Sequence, residues 1–172
     1  MRGSLEASGL FFGIFTGLLT GILQAASQES AARVAAPADV EGIELFEIES
    51  ALLTEFWGRP MVIQAGVVVP PGHDVSRRDT PVCYSIHGFG GSHLEAWDSG
   101  ARLRTAMGER GYPEMLYVYL NAQFPMGHHE FADSVNNGPW GKALTTEFIP
   151  QLEAKYGAAA TSTLFLPESQ TQ

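Results

Sequence analysis

Two short, uncharged and largely apolar runs, Val82–Ile86 and Met115–Leu120, constrain this chain more than any other feature. A strand that is apolar on both faces has to be covered on both, which is the situation of a strand inside a parallel sheet flanked by helices. Between and after the runs the period changes from two to nearly four. Trp97–Arg110 carries Ala101, Leu103 and Met107 near helical spacing, with Asp98 or Ser99 as the expected N-cap and Gly111 as the stop. Gly138–Tyr156 predicts a second helix, with Pro139 in its first turn, Gly157 just past its end and a kink at Pro150. Thr163–Leu166 begins one more strand. Upstream, Ile43–Ser50 alternates apolar and acidic residues, as a half-exposed antiparallel edge strand does, with its acidic face toward water. Met61–Val69 is a stronger β-branched strand, ended by Pro70-Pro71-Gly72 and followed by the polar loop His73–Thr80, so that the two strands predict an opening hairpin or meander. The order predicts an α/β fold: a mostly parallel sheet with flanking helices and an antiparallel N-terminal edge.

The ends read differently. Gly9–Leu23 is uncharged and apolar, with Arg2 before it and Ala25-Ala26-Ser27 after it. About 15 apolar residues fall short of the roughly 20 that cross a bilayer, and the small-x-small pattern suits cleavage, so residues 1–27 read as a secretory signal peptide. An uncleaved anchor over residues 9–23 is the alternative. Residues 28–40 read as a flexible lead-in, and the expected location is secreted or periplasmic. The 172 residues, 45% hydrophobic, suffice for one core, and 10 Lys and Arg against 19 Asp and Glu leave a net charge of −9 without a basic stripe. That balance excludes nucleic acid as the main partner and any membrane surface beyond the signal segment, since both require clustered cations. Cys83 has no second cysteine to pair with and reads as a buried, inert thiol.

Chemistry concentrates in His87-Gly88-Phe89-Gly90-Gly91-Ser92-His93, a glycine-rich turn directly after a buried strand, where α/β sheets place their ligands. Glycines let consecutive N–H groups face one point, and ester hydrolysis requires such donors for the oxyanion of its tetrahedral intermediate. Neither phosphate-loop spacing, G-x-G-x-x-G nor G-x-x-x-x-G-K-[ST], is present. A tight turn with a structural histidine is the alternative.

The pattern resembles the H-G-G-G-type oxyanion loop of lipases and esterases. More specifically, PVCYSIHGFGGSH, MLYVYLNAQ and GHHEFADSVNNGPWGKALTTEFIPQLEAKYG, within residues 60–157, are similar to the esterase family that includes esterase D-like and enterochelin-esterase-like α/β-hydrolases. The resemblance implies a serine carboxylic-ester hydrolase in which the amides of Phe89 and Gly90 form the oxyanion hole. It also implies that His87, Gly88, Gly91 and Trp140 lie on the substrate side, with Trp140 on the helix before the nucleophile strand. In that family a strand and a G-x-S-x-G elbow follow, and then the acid and the histidine. Here the sequence continues AAATSTLFLPESQTQ, and G-x-S-x-G occurs nowhere. The expectation is therefore a partial α/β-hydrolase domain at 41–166, truncated or frameshifted before the nucleophile, with a polar tail at 167–172, no catalytic residue present and no activity alone. No cofactor or metal is expected. The partner of a completed enzyme would be a small-molecule ester.

Gly127-His128-His129-Glu130-Phe131-Ala132-Asp133 crowds two imidazoles and two carboxylates, but its spacing matches no common zinc motif. Asp133-Ser134 and Asn136-Asn137-Gly138 read as turn and capping groups. Trp97, Trp140 and Phe89 could wall an apolar cleft or sit in the core. Two further readings stay open: a secreted non-catalytic module binding through the glycine loop, distinguished by a cooperative melt of a monodisperse monomer, and a metalloprotein using His128 and His129.

Overall fold

In chain order the elements are β1 (Ile43–Glu49), α1 (Ala51–Trp57), β2 (Val62–Val68), β3 (Thr80–Ile86), α2 (Ser99–Met107) and β4 (Leu116–Leu120). Two-residue strands follow, β5 (Gln123–Phe124), β6 (Gly127–His128), β7 (Asp133–Ser134) and β8 (Gly138–Pro139). The last helical stretch joins α3 (Trp140–Ala143), a π-helical turn (Leu144–Phe148) and α4 (Ile149–Tyr156), and β9 (Ala158–Pro167) ends the described chain. The computed structural model describes residues 39–109, 112–124 and 127–167, with side chains as far as 158, all within the unit Pro37–Gln172. The expected signal segment, the lead-in as far as residue 38, Gly111 and the tail beyond Pro167 lie outside the described residues.

The main sheet has the order β1-β2-β4-β3-β9. β1 pairs with β2, and β2 with β4, antiparallel. β3 runs parallel to both β4 and β9, with Ile86 level with Leu120 on one side and Pro167 on the other. The expected parallel sheet with an antiparallel N-terminal edge is thus present as a mixed sheet, with parallel pairing confined to β3, β4 and β9. Alternate residues serve opposite faces. Ile63, Ala65, Val67, Leu116, Val118 and Leu120 join Leu53, Phe148, Leu152 and Tyr156 in the larger core. Val68 and Tyr119 join Ile43 and Ala96 on the other side. Among the described residues no helix is long and apolar enough to cross a membrane.

Several local expectations give way to packing. β1 does not hold its acids on one face: the apolar phase slips between Leu45 and Phe46, so Phe46 and Ile48 enter the larger core while Ile43 enters the smaller one. The opening strands are not a hairpin either, because α1 intervenes. Its signals were the Ser50 side chain, which accepts from Leu53 N–H, and Gly58 in the left-handed conformation at φ 64. Glu147 completes that end, taking a short hydrogen bond from Ser50 and one from Leu52 N–H at 3.1 Å. α2 ends at Met107 rather than Arg110, and Asp98, at its N-cap, makes no side-chain cap but pairs with Arg102 at 2.8 Å. Ahead of Pro150, where the sequence predicts a kink, the helix widens: Ile149 N–H donates to Leu144 O, five residues back. Proline has no N–H to give Thr146, and the wider turn removes the need for one. Gly157 ends α4 at φ 61, as expected.

Glu44 reaches from β1 to α4, accepting from Tyr156 Oη at 2.9 Å and from Lys155 Nζ at 3.2 Å. Burial raises its pKa, but the Tyr156 hydroxyl and the Lys155 ammonium outweigh burial and hold it below the usual carboxylate value. A lowered folded pKa means stability that is present above the unfolded value and lost as pH falls through the folded one. Because the pair is about half exposed, Glu44→Gln should cost only about 0.5 kcal/mol at pH 7 by urea unfolding, with the difference vanishing once the pH has fallen through the folded value. A cost unchanged at acid pH would contradict this.

Candidate functional site

The glycine turn leaves the carboxyl end of β3, beside the carboxyl end of β4. Gly91 N–H donates to Gly88 O at 3.1 Å, closing a four-residue turn with Phe89 and Gly90 at its centre. Gly90 has φ 84, the conformation that the third position of a type II turn requires. At Gly91 space is the constraint: a Cβ there would lie 2.5 Å from Glu95 Oε1 and 2.8 Å from His87 Cβ. Ser92 then caps the short 3-10 turn His93–Trp97 with Glu95 in a capping box.

The expected oxyanion donors sit at the tip of this turn. Phe89 and Gly90 are exposed, and their amides make no hydrogen bond with any described residue. The Phe89 ring is 89% exposed and lies 5.5 Å from the His128 ring.

The other expected site residues stand behind the tip. His87 is 5% exposed. Its Nε2 accepts the N–H of Ala122 at 3.0 Å, so the proton sits on Nδ1, which donates to Gly88 O at 2.9 Å. This imidazole therefore ties the loop to the segment after β4 and is not free to touch a ligand. Gln123 adds a second tie, from Nε2 to Gly91 O at 2.8 Å. Trp140, expected on the substrate side, is 3% exposed. Its indole N–H donates to Asn137 O at 2.7 Å, and His129 stacks on it at 3.7 Å and 7°. It belongs to the larger core. Gly88 and Gly91 are half-buried. The capping expectation for Asp133 is met from a distance, by Oδ1 accepting Lys142 N–H at 3.1 Å.

His129, which the sequence offers as one of a crowded loop or, with His128, as a metal ligand, packs as a structural hub. It is 4% exposed, and burial first, then the neighbouring His128 and His87, push its pKa down to about 3. Its Nδ1 accepts Phe131 N–H at 3.1 Å. Buried Nε2 has the Asn121 carbonyl nearby but makes no hydrogen bond of good geometry. His93, also buried, is lowered by desolvation, with the Asn121 side chain beside it. Cys83 is buried and its thiol is raised by desolvation, as an inert thiol should be. Among the described residues no cluster of three or more His, Cys, Asp or Glu is placed to hold a metal ion.

No family model and no curated protein matches the sequence. Solved structures do share its fold. One is a ferulic acid esterase, with a TM-score of 0.56 at 18% identity, over 73% of this chain and 48% of that one. Another is an S-formylglutathione hydrolase from Agrobacterium tumefaciens, at 0.54 and 14%, over 80% and 53%. A ferulic acid esterase from Anaeromyces mucronatus, in complex with ferulic acid, gives 0.51 and 19%, over 78% and 52%. The chain therefore shares its mixed α/β fold with these esterase and hydrolase structures, and it spans about half their length.

Proposed function

We propose that this chain carries the oxyanion-binding face of a serine carboxylic-ester hydrolase, exported by its first 27 residues and allied to the esterase D-like and enterochelin-esterase-like enzymes. The observation that carries the reading is the turn Gly88–Gly91 at the carboxyl end of β3, with the amides of Phe89 and Gly90 uncommitted at its tip. Two N–H groups fixed side by side cost no reorganisation when negative charge develops on a carbonyl oxygen, and this is the electrostatic component of acyl transfer. The exposed Phe89 ring beside them suits an ester with a flat apolar group, a preference compatible with the ferulic acid esterases of the same fold.

Oxyanion donors alone leave the covalent step undone, since attack requires a nucleophile and a base to activate it. G-x-S-x-G is absent from the chain, and His87 is committed to the backbone through both ring nitrogens. The purified chain should therefore show no turnover of p-nitrophenyl acetate that a fluorophosphonate abolishes. Inhibitor-sensitive turnover would mean that one of its own serines is an activated nucleophile.

A further inference from the structure

We infer that His87 and His129 are positioning residues, each holding a backbone N–H of the segment after β4 as a neutral imidazole, and that acid releases this segment from the glycine loop. The two rings form consecutive links of one chain of contacts. Glycine-loop carbonyl Gly88 O accepts His87 Nδ1–H, and His87 Nε2 accepts Ala122 N–H. The Ala122 carbonyl accepts His129 N–H at 3.1 Å, and His129 Nδ1 accepts Phe131 N–H while its ring lies flat on Trp140. A backbone amide can only donate, so each imidazole must present an unprotonated nitrogen to it. Protonating that nitrogen turns an acceptor into a donor and sets N–H against N–H.

What His129 restrains is strained. Glu130 and Phe131 both have positive φ, 48 and 52, and Ala132 N–H closes the turn on His129 O at 2.9 Å. A turn with two left-handed centres ordinarily takes Asn or Gly, and a bulky aromatic there persists only when its surroundings impose it. The bond from Phe131 N–H to His129 is part of that imposition, so its loss lets the turn relax.

The titratable groups facing the two rings add to the effect. His128, from β6, lies 4.8 Å from the His87 ring, and His93, from the turn after the glycine loop, interacts electrostatically with His87. Glu95 Oε1 and His87 Cβ both crowd the position of Gly91, while Glu130 follows His129 with its own side chain exposed. Once the segment opens, His129 regains the ordinary histidine value of 6.5 in place of about 3. Protons then favour the open form, about tenfold more for each pH unit between those limits. The release follows from ring chemistry and does not depend on what the glycine loop binds.

Amide hydrogen exchange on the full chain tests this, with Val118 of β4 as the reference. Between pH 6.5 and 4.5 the protection factor of Phe131 should fall about 50-fold relative to Val118, and that of Ala122 should fall with it. His129→Asn keeps an acceptor oxygen near the original nitrogen but does not titrate, so it should flatten the pH dependence at Phe131 and, with it, at Ala122. Protection that follows Val118 throughout, or a native-like fall of Phe131 in His129→Asn, overturns the proposal. Long-range proton–nitrogen spectra of the unmodified protein at pH 7.5 provide a check independent of the variant. They should give the Nδ1–H tautomer at His87 and the Nε2–H tautomer at His129, and the opposite form at either also overturns it.

Discussion

Phe89→Pro should lower kcat by about 10²–10³-fold when His87–His93 is carried as the corresponding loop of an active esterase of this fold. The substitution is informative because the turn tolerates it. Phe89 occupies the second position of a turn whose third residue, Gly90, has φ 84, and proline is common at that second position in type II turns. Proline therefore keeps the course of the backbone while deleting one N–H donor. Phe89→Ala is the necessary control, since it removes the ring and leaves the donor; its kcat should stay within about tenfold of the parent on a small acetyl ester, where the ring has little to touch. If Phe89→Pro and Phe89→Ala behave alike, the amide of Phe89 receives no developing charge, and the proposed role of the loop fails. The removal of one preorganised donor corresponds to about 3–4 kcal/mol of transition-state stabilisation, far more than a lost surface contact supplies.

Trp140→Ala should destabilise the fold by about 3–5 kcal/mol in urea unfolding, the range for truncating a large buried aromatic. The indole contacts elements on several sides. It stacks on His129, meets Phe124 at 6.1 Å and Phe131 at 6.3 Å, and anchors Asn137 through its N–H. Truncation opens a void and also uncovers the imidazole that holds the Phe131 turn. Trp97→Ala provides the comparison: Trp97 is only partly buried, at the edge of the smaller core, and should cost clearly less. A loss below about 1.5 kcal/mol at Trp140 would mean that the indole is not the keystone of this layer and would reopen its sequence-based assignment to the substrate side.

The burial of Trp140, for which the sequence leaves both a cleft wall and the core open, marks where the sequence stops being legible. β2, β3 and β4 can be read because an uncharged run five to seven residues long between charged or glycine-rich stretches has few other places to go. The glycine turn can be read for the same reason: Gly90 and Gly91 are required locally, one by its φ and the other by the space beside His87. α1 is too short for a periodicity argument, and only its caps, Ser50 and Gly58, announce it. The Glu130–Phe131 turn contradicts its own residue types, since neither prefers positive φ; it is imposed by His129, Trp140 and the surrounding core. The task of His87 is likewise hidden, because its partner Ala122 lies 35 positions away and offers only a backbone N–H, which no side-chain pattern encodes.

The π-helical turn has a geometric consequence of its own. Trp140, Leu144, Phe148, Leu152 and Tyr156 are all buried, one at every fourth position. On a regular helix of 3.6 residues per turn, each step of four advances about 40° around the axis, so over this stretch the stripe would wander about 160°, nearly to the opposite side. A turn closed by bonds to the fifth residue back rotates each residue less and recovers part of that drift, keeping Phe148, Leu152 and Tyr156 aimed at the same layer as Trp140. Length is therefore the sensitive variable here. Removing a single residue between Leu144 and Phe148 would restore ordinary helical bonding and still leave Phe148, Leu152 and Tyr156 on the side of Trp140, whereas removing one from the regular turns that follow would swing the residues beyond it by about 100°, away from the sheet.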